Sequence, residues 1–460
     1  MTTSLRTRLS RAVAATSLTL VAGLTLAGCM STSAEPSAPV GIAPPLRDDQ
    51  HVDITFESYN LAQAGLWTDT VNQLIDEFES EHPNITVTGQ APQGSSSGNI
   101  ANIATVSSVQ KQLLGGDPPD VAQLTFDTFD FTANQLGAKP LSDLVSKEEL
   151  AEAVGGEHPI HPNALALTQW NGETVGMPYV FSTPVMFYNE DALADAGITD
   201  PDFSTWESTQ KIAEKVSART GKPSLDVPCV STGGNWCMQG LFRSNGARVL
   251  SEDRSTIEFD SPEAVDTVDR FAGLFTDGVL RNADAATSQE GLGKGDVQMV
   301  LTSSGLQESM MKAADSAGWT LKAAPMPAFA GKTAVPTNSG SGLYVFSDDA
   351  AKQRASWEFI RFMTSDRAYE VISSQIGYLP LRSGLVDDGQ PLHQWMVDNP
   401  LVEPNLEQLD HMQPWVSYPG NSYAQVDTLL ADAIEQSVYY GADTTTTLQR
   451  AADRAQKLID

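Results

Sequence analysis

The chain has 460 residues, enough for two domains or one large one. Its 28 basic residues against 58 acidic ones give a net charge of −30. That balance excludes nucleic acid as a partner, because phosphate binding needs clustered Lys and Arg.

In chain order, Arg6, Arg8 and Arg11 precede the apolar run Ala12 to Leu26 and then Leu26-Ala27-Gly28-Cys29. This pattern reads as a secretory signal over residues 1–28, too short and wrongly flanked for a spanning helix. The four-residue ending resembles the bacterial lipobox, in which the cysteine is diacylated; an ordinary secretory signal with an incidental cysteine is the plainer alternative. Lipidation of Cys29 would anchor the protein to the outer face of the cell membrane, with residues 29–49 as a Ser-, Ala- and Pro-rich tether. Loss of the three leader arginines takes the net charge from −30 to −33. No later apolar run is long enough to cross a bilayer.

Beyond the tether, Val52 to Tyr59 alternates like a half-buried strand. Trp67 to Glu81 places Val71, Leu74, Ile75 and Phe78 at helical spacing, and Ile85 begins a second strand. A helix from Ile100 to Leu114 leads through Gly115 to Pro119 into a strand at Asp120. This alternation predicts an α/β fold with largely parallel pairing. Further on, Ser204 with Glu207 predicts a capping box, and Ser261 before Pro262 predicts a helix start closed by Gly278. Helical patterns run from Asp348 to Ser373 and from Val426 to Leu458, the latter broken near Gly441. Three strand-like segments interrupt this helical country: Tyr179 to Tyr188, Leu321 to Met326 and Leu343 to Phe346. They fit a chain that leaves one lobe and returns through a hinge, with ligand bound between lobes or at strand ends.

Cys229 and Cys237 stand eight apart around Gly233, Gly234 and Trp236, and outside the cell such a pair predicts a disulfide. An enzyme reading finds little support. His158 and His161 lie beside Glu157, but Pro159 and Pro162 forbid the helix a metal pair would use, and no third ligand is signalled. There is no Gly-x-Ser-x-Gly elbow, P-loop or dinucleotide fingerprint, so neither catalysis nor a cofactor is expected. The informative stretches are Phe181 to Asn189, Leu301 to Leu306, Asn338 to Val345, Gly377 to Arg382 and Pro419 to Asn421. Their glycines, hydroxyls and aromatic rings suit a polyhydroxylated or phosphorylated small molecule.

At these residues the chain resembles an extracellular solute-binding protein of an ABC importer, most closely the branch that binds glycerol-3-phosphate and glycerophosphodiesters such as glycerophosphocholine. The likeness lies in Ser182-Thr-Pro-Val-Met-Phe-Tyr-Asn189, Thr302-Ser-Ser-Gly305, Gly377-Tyr-Leu-Pro380, Asn399-Pro400 and Gly420-Asn421. It implies a periplasmic-binding-protein-like fold of two α/β lobes joined by hinge strands around a cleft. The expected boundaries are 50–181 plus 322–365 for the N-terminal lobe and 186–318 plus 370–460 for the C-terminal lobe. The resemblance also implies a monomer that delivers its solute to the transmembrane subunits of a permease. Carried onto this chain, it makes Ser182 and Ser303 hydroxyl partners of the ligand, Gly340 a close backbone N–H, and Tyr378 an aromatic wall. Three departures stand out. The branch's carboxylate position holds Phe126 here, followed by Asp127; an early pocket tyrosine aligns near Asn102; and a late arginine aligns with Val426. Members lacking that arginine carry one after the Gly-Tyr-Leu-Pro turn, which makes Arg382 the expected anion ligand. Phe126 and Trp236 would then face a head group, and a choline cation over Trp236 would gain a cation–π contact. A binder of neutral sugar or oligosaccharide is the alternative.

Overall fold

The computed structural model describes residues 42–63, 65–94, 101–231 and 235–460, with the backbone alone at 101–103 and at 235. Cys29, Gly233, Gly234 and the Asn102 side chain lie outside the described residues. Nine strands matter for the architecture: β1 (Val52–Glu57), β2 (Ile85–Gln90), β3 (Val121–Thr125), β4 (Met177–Ser182), β5 (Pro184–Asn189), β6 (Leu225–Asp226), β7 (Met299–Ser303), β8 (Leu321–Pro325) and β9 (Ser339–Val345).

The first sheet runs in the order β2-β1-β3-β9-β4, and the second in the order β8-β5-β7-β6. In the first, β1 lies parallel to β2 with Val52 opposite Ile85 and parallel to β3 with Phe56 opposite Val121. Strand β9 joins antiparallel between β3 and β4. Val52, Ile54 and Phe56 alternate inward because successive strand side chains point to opposite faces. The helix Leu66–Glu81 covers that face with Val71, Leu74, Ile75 and Phe78, the stripe its sequence spacing predicts. Each sheet has a hydrophobic cluster on both faces, so each lobe is an α/β sandwich, as expected.

Thr183 alone separates β4 from β5, although the two strands belong to different sheets. The segment Tyr179 to Tyr188 is therefore the first crossing. The return from β8 in the second sheet to β9 in the first is another. The third lies later than the sequence suggested. Tyr369, Ile372, Leu385 and Met412 bury in the core of the first lobe, whereas Tyr418, Val426 and Leu430 bury in the core of the second. Leu401 already buries with Val185 and Phe187 of the second lobe, so the chain runs along the boundary from there and enters the second core by Tyr418; the boundary expected near residue 370 is corrected. The apolar face of Asp366–Ile376 finds its partner in the helix Leu66–Glu81.

Local signals were read with mixed accuracy. Ser261 caps the helix Pro262–Thr276 by accepting from the Ala264 N–H. The capping box near residue 204 is shifted by one, with Thr205 and Ser208 satisfying each other's backbone N–H groups. The pattern from Asp348 to Ser373 is two helices, Ala350–Met363 and Asp366–Ile376, restarted by the N-cap Ser365. The last pattern splits at Gly441, a left-handed C-cap, into Tyr423–Tyr440 and Thr444–Ile459.

A candidate solute site between the lobes

The carboxyl ends of β4 and β7 meet where the chain first changes lobes. Pro184 pairs with Ser303, and Ser303 donates from Oγ to Ser182 Oγ at 2.8 Å. The Gly305 N–H donates back to Ser303 Oγ at 3.2 Å, opening a short 3-10 turn. Tyr378 lies against this turn: a Cβ on Gly305 would come within 2.9 Å of the Tyr378 ring, and Trp67 meets that ring edge-on at 5.0 Å. Gly340 sits beside them on β9, opposite Phe181, with φ +115°. A side chain there would bring Cβ within 2.0 Å of the Val180 carbonyl, so only glycine is accommodated. Ser182, Ser303, Gly340 and Tyr378 are therefore brought together from four distant stretches of sequence.

The structure adds residues that the sequence did not single out as ligands. The Tyr59 hydroxyl donates to Ser341 Oγ at 3.0 Å, and Gln123 Nε2 donates to the same oxygen at 2.8 Å. Burial pushes the Tyr59 hydroxyl up to about 12, so it remains a donor at any physiological pH. Tyr59 and Gln123 lie at or near the carboxyl ends of β1 and β3, where open α/β sheets bind ligands. That position was their available signal.

Phe126 and Asp127 open the turn that follows β3. Phe126 is buried and borders a cavity of about 350 Å³ shared with Phe129, Trp170, Trp415 and Arg254. Asp127 is partly exposed, and burial raises its carboxyl above the ordinary range against hydrogen bonds from Thr125 and the local backbone. From the second lobe, Tyr423 packs its ring on Phe131 at 5.4 Å. One helical turn further, Asp427 is raised to about 7, first by burial and then by the charge of Asp127. The lobes also engage through Arg254, whose Nη2 donates to Asp130 Oδ2 at 2.7 Å and to the Ser417 carbonyl at 2.6 Å. Its guanidinium stacks over Trp170 at 5.1 Å. Arg243 donates Nη1 to the Gln413 and Pro414 carbonyls on the last crossing, and burial lowers its pKa to about 10.

Arg382 is not at this site as an anion ligand, and that expectation is corrected. Its Nε donates to the Thr364 carbonyl, Nη1 to those of His158 and Gly155, and Nη2 to that of Ala153. Asp366 stands 3.5 Å from Nε, and Glu149, Glu152 and Glu157 line the same surface hollow. The guanidinium ties the loop 153–158 to a helix end within the first lobe, its donors taken up by backbone carbonyls. Trp236 packs half-buried on the second lobe's core and stacks with no ring or cation among the described residues. Cys229 and Cys237 are bonded, with Cα atoms 5.2 Å apart, and pin that loop to the same core. His158 pairs with Asp366 at 2.7 Å, whereas His161 faces Asp410 and caps the short helix Pro162–Leu165, so the two serve different contacts.

Two lobes, three crossings and polar groups converging from both sides define a binding protein that clasps a small solute. The chain belongs to the family of bacterial extracellular solute-binding proteins, which matches residues 73–404. It is therefore a solute-binding protein. The arabinooligosaccharide-binding protein of Bacillus subtilis is 25% identical over 248 residues, 51% of this chain and 50% of that one. The sn-glycerol-3-phosphate-binding periplasmic protein UgpB of Brucella melitensis is 24% identical over 304 residues, 63% and 68% of the two chains. The chain thus spans about half the length of the first relative and about two thirds of the second. UgpB from Mycobacterium tuberculosis, solved with glycerophosphocholine, aligns with a TM-score of 0.75 at 21% identity over 89% of this chain and 98% of that one. The GacH receptor of Streptomyces glaucescens, solved with acarbose, gives 0.72 at 18% identity over 89% and 99%.

Proposed function

We propose that this protein is the solute-binding component of an ABC importer and captures a polyhydroxylated, carbohydrate-type solute that carries no net negative charge, from an extracytoplasmic position lipid-anchored through Cys29. One observation carries the reading. The lobe boundary presents the carboxylates Asp127 and Asp427 with tyrosine hydroxyls, while Arg254, Arg243 and Arg382 are held by Asp130 or by backbone carbonyls. A phosphate seated beside either carboxylate meets a like-charge repulsion on the order of 3 kcal/mol per close pair, roughly a hundredfold in affinity. Neutral hydroxyls instead donate to carboxylates, and sugar faces stack on aromatic rings. Closure on such a solute excludes water and strengthens these bonds.

A glycerophosphodiester is the second reading, favoured by the convergence of Ser182, Ser303, Gly340 and Tyr378 at the positions that the glycerol-3-phosphate-binding branch uses. Isothermal titration against neutral oligosaccharides, glycerophosphocholine, glycerol-3-phosphate and inorganic phosphate separates the two. Heat from neutral sugars, undisturbed by added phosphate, is expected. Binding confined to phosphate-bearing solutes would overturn the first reading.

A further inference from the structure

The first two crossings diverge at one point, and a single side chain stands there. In the second sheet, β5 and β8 run antiparallel as far as Val185 opposite Pro325. In the first sheet, β4 and β9 meet again from Ser182 opposite Ser339. One step beyond the last pair of the second sheet, Pro184 and Met326 are bridged by the amide of Gln408. The Met326 N–H donates to its Oε1 at 2.8 Å, and its Nε2 donates to the Pro184 carbonyl at 3.0 Å. A carbonyl only accepts and a backbone N–H only donates, so these two groups fix which way the amide points. Nε2 also donates to Thr183 Oγ1 at 2.9 Å, and that hydroxyl donates in turn to Asn405 Oδ1. Thr183, Asn405 and Gln408 are all buried, where water does not compete for these bonds and losing one is costly.

Asn405 and Gln408 stand three apart, on one face of the helix Glu403–Leu409. Just before this helix, Leu401 buries with Val185 and Phe187 of the second lobe. At its end Leu409 buries in the core of the first lobe, and its carbonyl accepts from Asn163 Nδ2 at 2.8 Å. The helix thus rests on both lobes while its two amides clasp the crossings. Thr183 connects the clasp to the candidate site. Its carbonyl accepts from the Ser304 N–H at 3.0 Å, and its own N–H donates to Ser304 Oγ at 3.3 Å. Ser182 and Ser303, whose hydroxyls meet at the site, each adjoin a residue held in this way.

We infer that Gln408 and Asn405 are positioning residues for solute capture. They pin the first two crossings at one spacing, so that the lobes turn about a fixed axis and Ser182 and Ser303 arrive together. Both act through Thr183, by hydrogen bonding and not by bulk. The role is the same whichever solute the cleft takes.

The test needs no ligand. Spin labels at Ser80→Cys in the first lobe and Ala286→Cys in the second, both exposed helix positions, report lobe-to-lobe distances by pulsed dipolar spectroscopy. Gln408→Met keeps the volume of the side chain and removes its three hydrogen bonds. It is expected to broaden the distance distribution and to speed amide exchange at Met326 on the order of tenfold, with exchange in β1 and β7 unchanged. A second pair of variants separates hydrogen bonding from packing. Thr183→Val keeps the shape and loses the hydroxyl, and is expected to broaden the distribution. Thr183→Ser loses the methyl and keeps the hydroxyl, and is expected to match wild type. Should Gln408→Met not fold, the Thr183 pair decides. An unchanged distribution in Gln408→Met or in Thr183→Val overturns the inference. So does equal broadening in Thr183→Ser and Thr183→Val, or exchange that rises throughout the cores of both lobes.

Discussion

Asp427→Asn should make the solute-free protein more stable at neutral pH, and the gain should depend on pH in a defined direction. In the fold, burial and Asp127 hold the Asp427 carboxyl protonated up to about 7, whereas the unfolded chain releases that proton near 3.8. Between those values the native state binds more protons, so stability is greatest at the low end and falls as pH rises through 7. A shift of about three units corresponds to ~4 kcal/mol at 1.36 kcal/mol per unit. Partial solvent access to Asp427 screens this to roughly 2 kcal/mol. For a chain of this length that is a change of a few degrees in Tm. Asparagine keeps the shape and never ionises. Scanning calorimetry from pH 4.5 to 8.5 should show the variant gaining on wild type from the acid end up to about pH 7, with the gap levelling off above that. Tyr59, Tyr344, Tyr418 and Tyr423 stay neutral throughout because burial raises each of them, so they do not blur the comparison. Parallel curves across that window would refute the reasoning.

Other substitutions test the remaining parts. Arg382→Ala strands the carbonyls of Thr364, His158 and Ala153 and should cost about 2–4 kcal/mol in denaturant titration. Ligand affinity of the protein that still folds should be unchanged, and a loss of affinity at full stability would restore Arg382 as a ligand. Arg254→Met releases Asp130, which is 4% exposed, and uncovers Trp170. Solute affinity should fall about tenfold, ~1.4 kcal/mol, through a less populated closed form, and an unaltered Kd would show that the contact does not hold the lobes. Gly340→Ala should prevent native folding, read as lost near-ultraviolet circular dichroism, because Cβ would lie 2.0 Å from the Val180 carbonyl. Cys229→Ser with Cys237→Ser should lower stability by about 2–3 kcal/mol, the loop-closure value for a short ring. A change in affinity alone would point instead to the loop's part in binding.

Elements that repeat a local physical pattern were legible in the sequence. The alternation of Val52, Ile54 and Phe56, the stripe through Val71 and Phe78, and the interruption at Tyr179 to Tyr188 each follow from side-chain periodicity. The convergence of Ser182, Ser303, Gly340 and Tyr378 was legible through resemblance. Arg382 shows where that reading stops. A guanidinium is equally fit for a phosphate or for backbone carbonyls, and only the path of the loop 153–158 decides which it meets. The third crossing was misplaced for a related reason. Asp366–Ile376 is amphipathic, but its sequence does not say which lobe its apolar face will find. The pairing of Asp127 with Asp427 was hidden because the two stand 300 positions apart and only lobe packing brings them into range.

The central claim is that the cleft takes a polyhydroxylated solute without a cation reserved for phosphate. The most direct test is the affinity of one neutral oligosaccharide against the same oligosaccharide bearing a terminal phosphate, both titrated into the wild-type protein at pH 7.5. The account predicts that the phosphorylated form binds at least tenfold more weakly. Tighter binding of the phosphorylated form would contradict it.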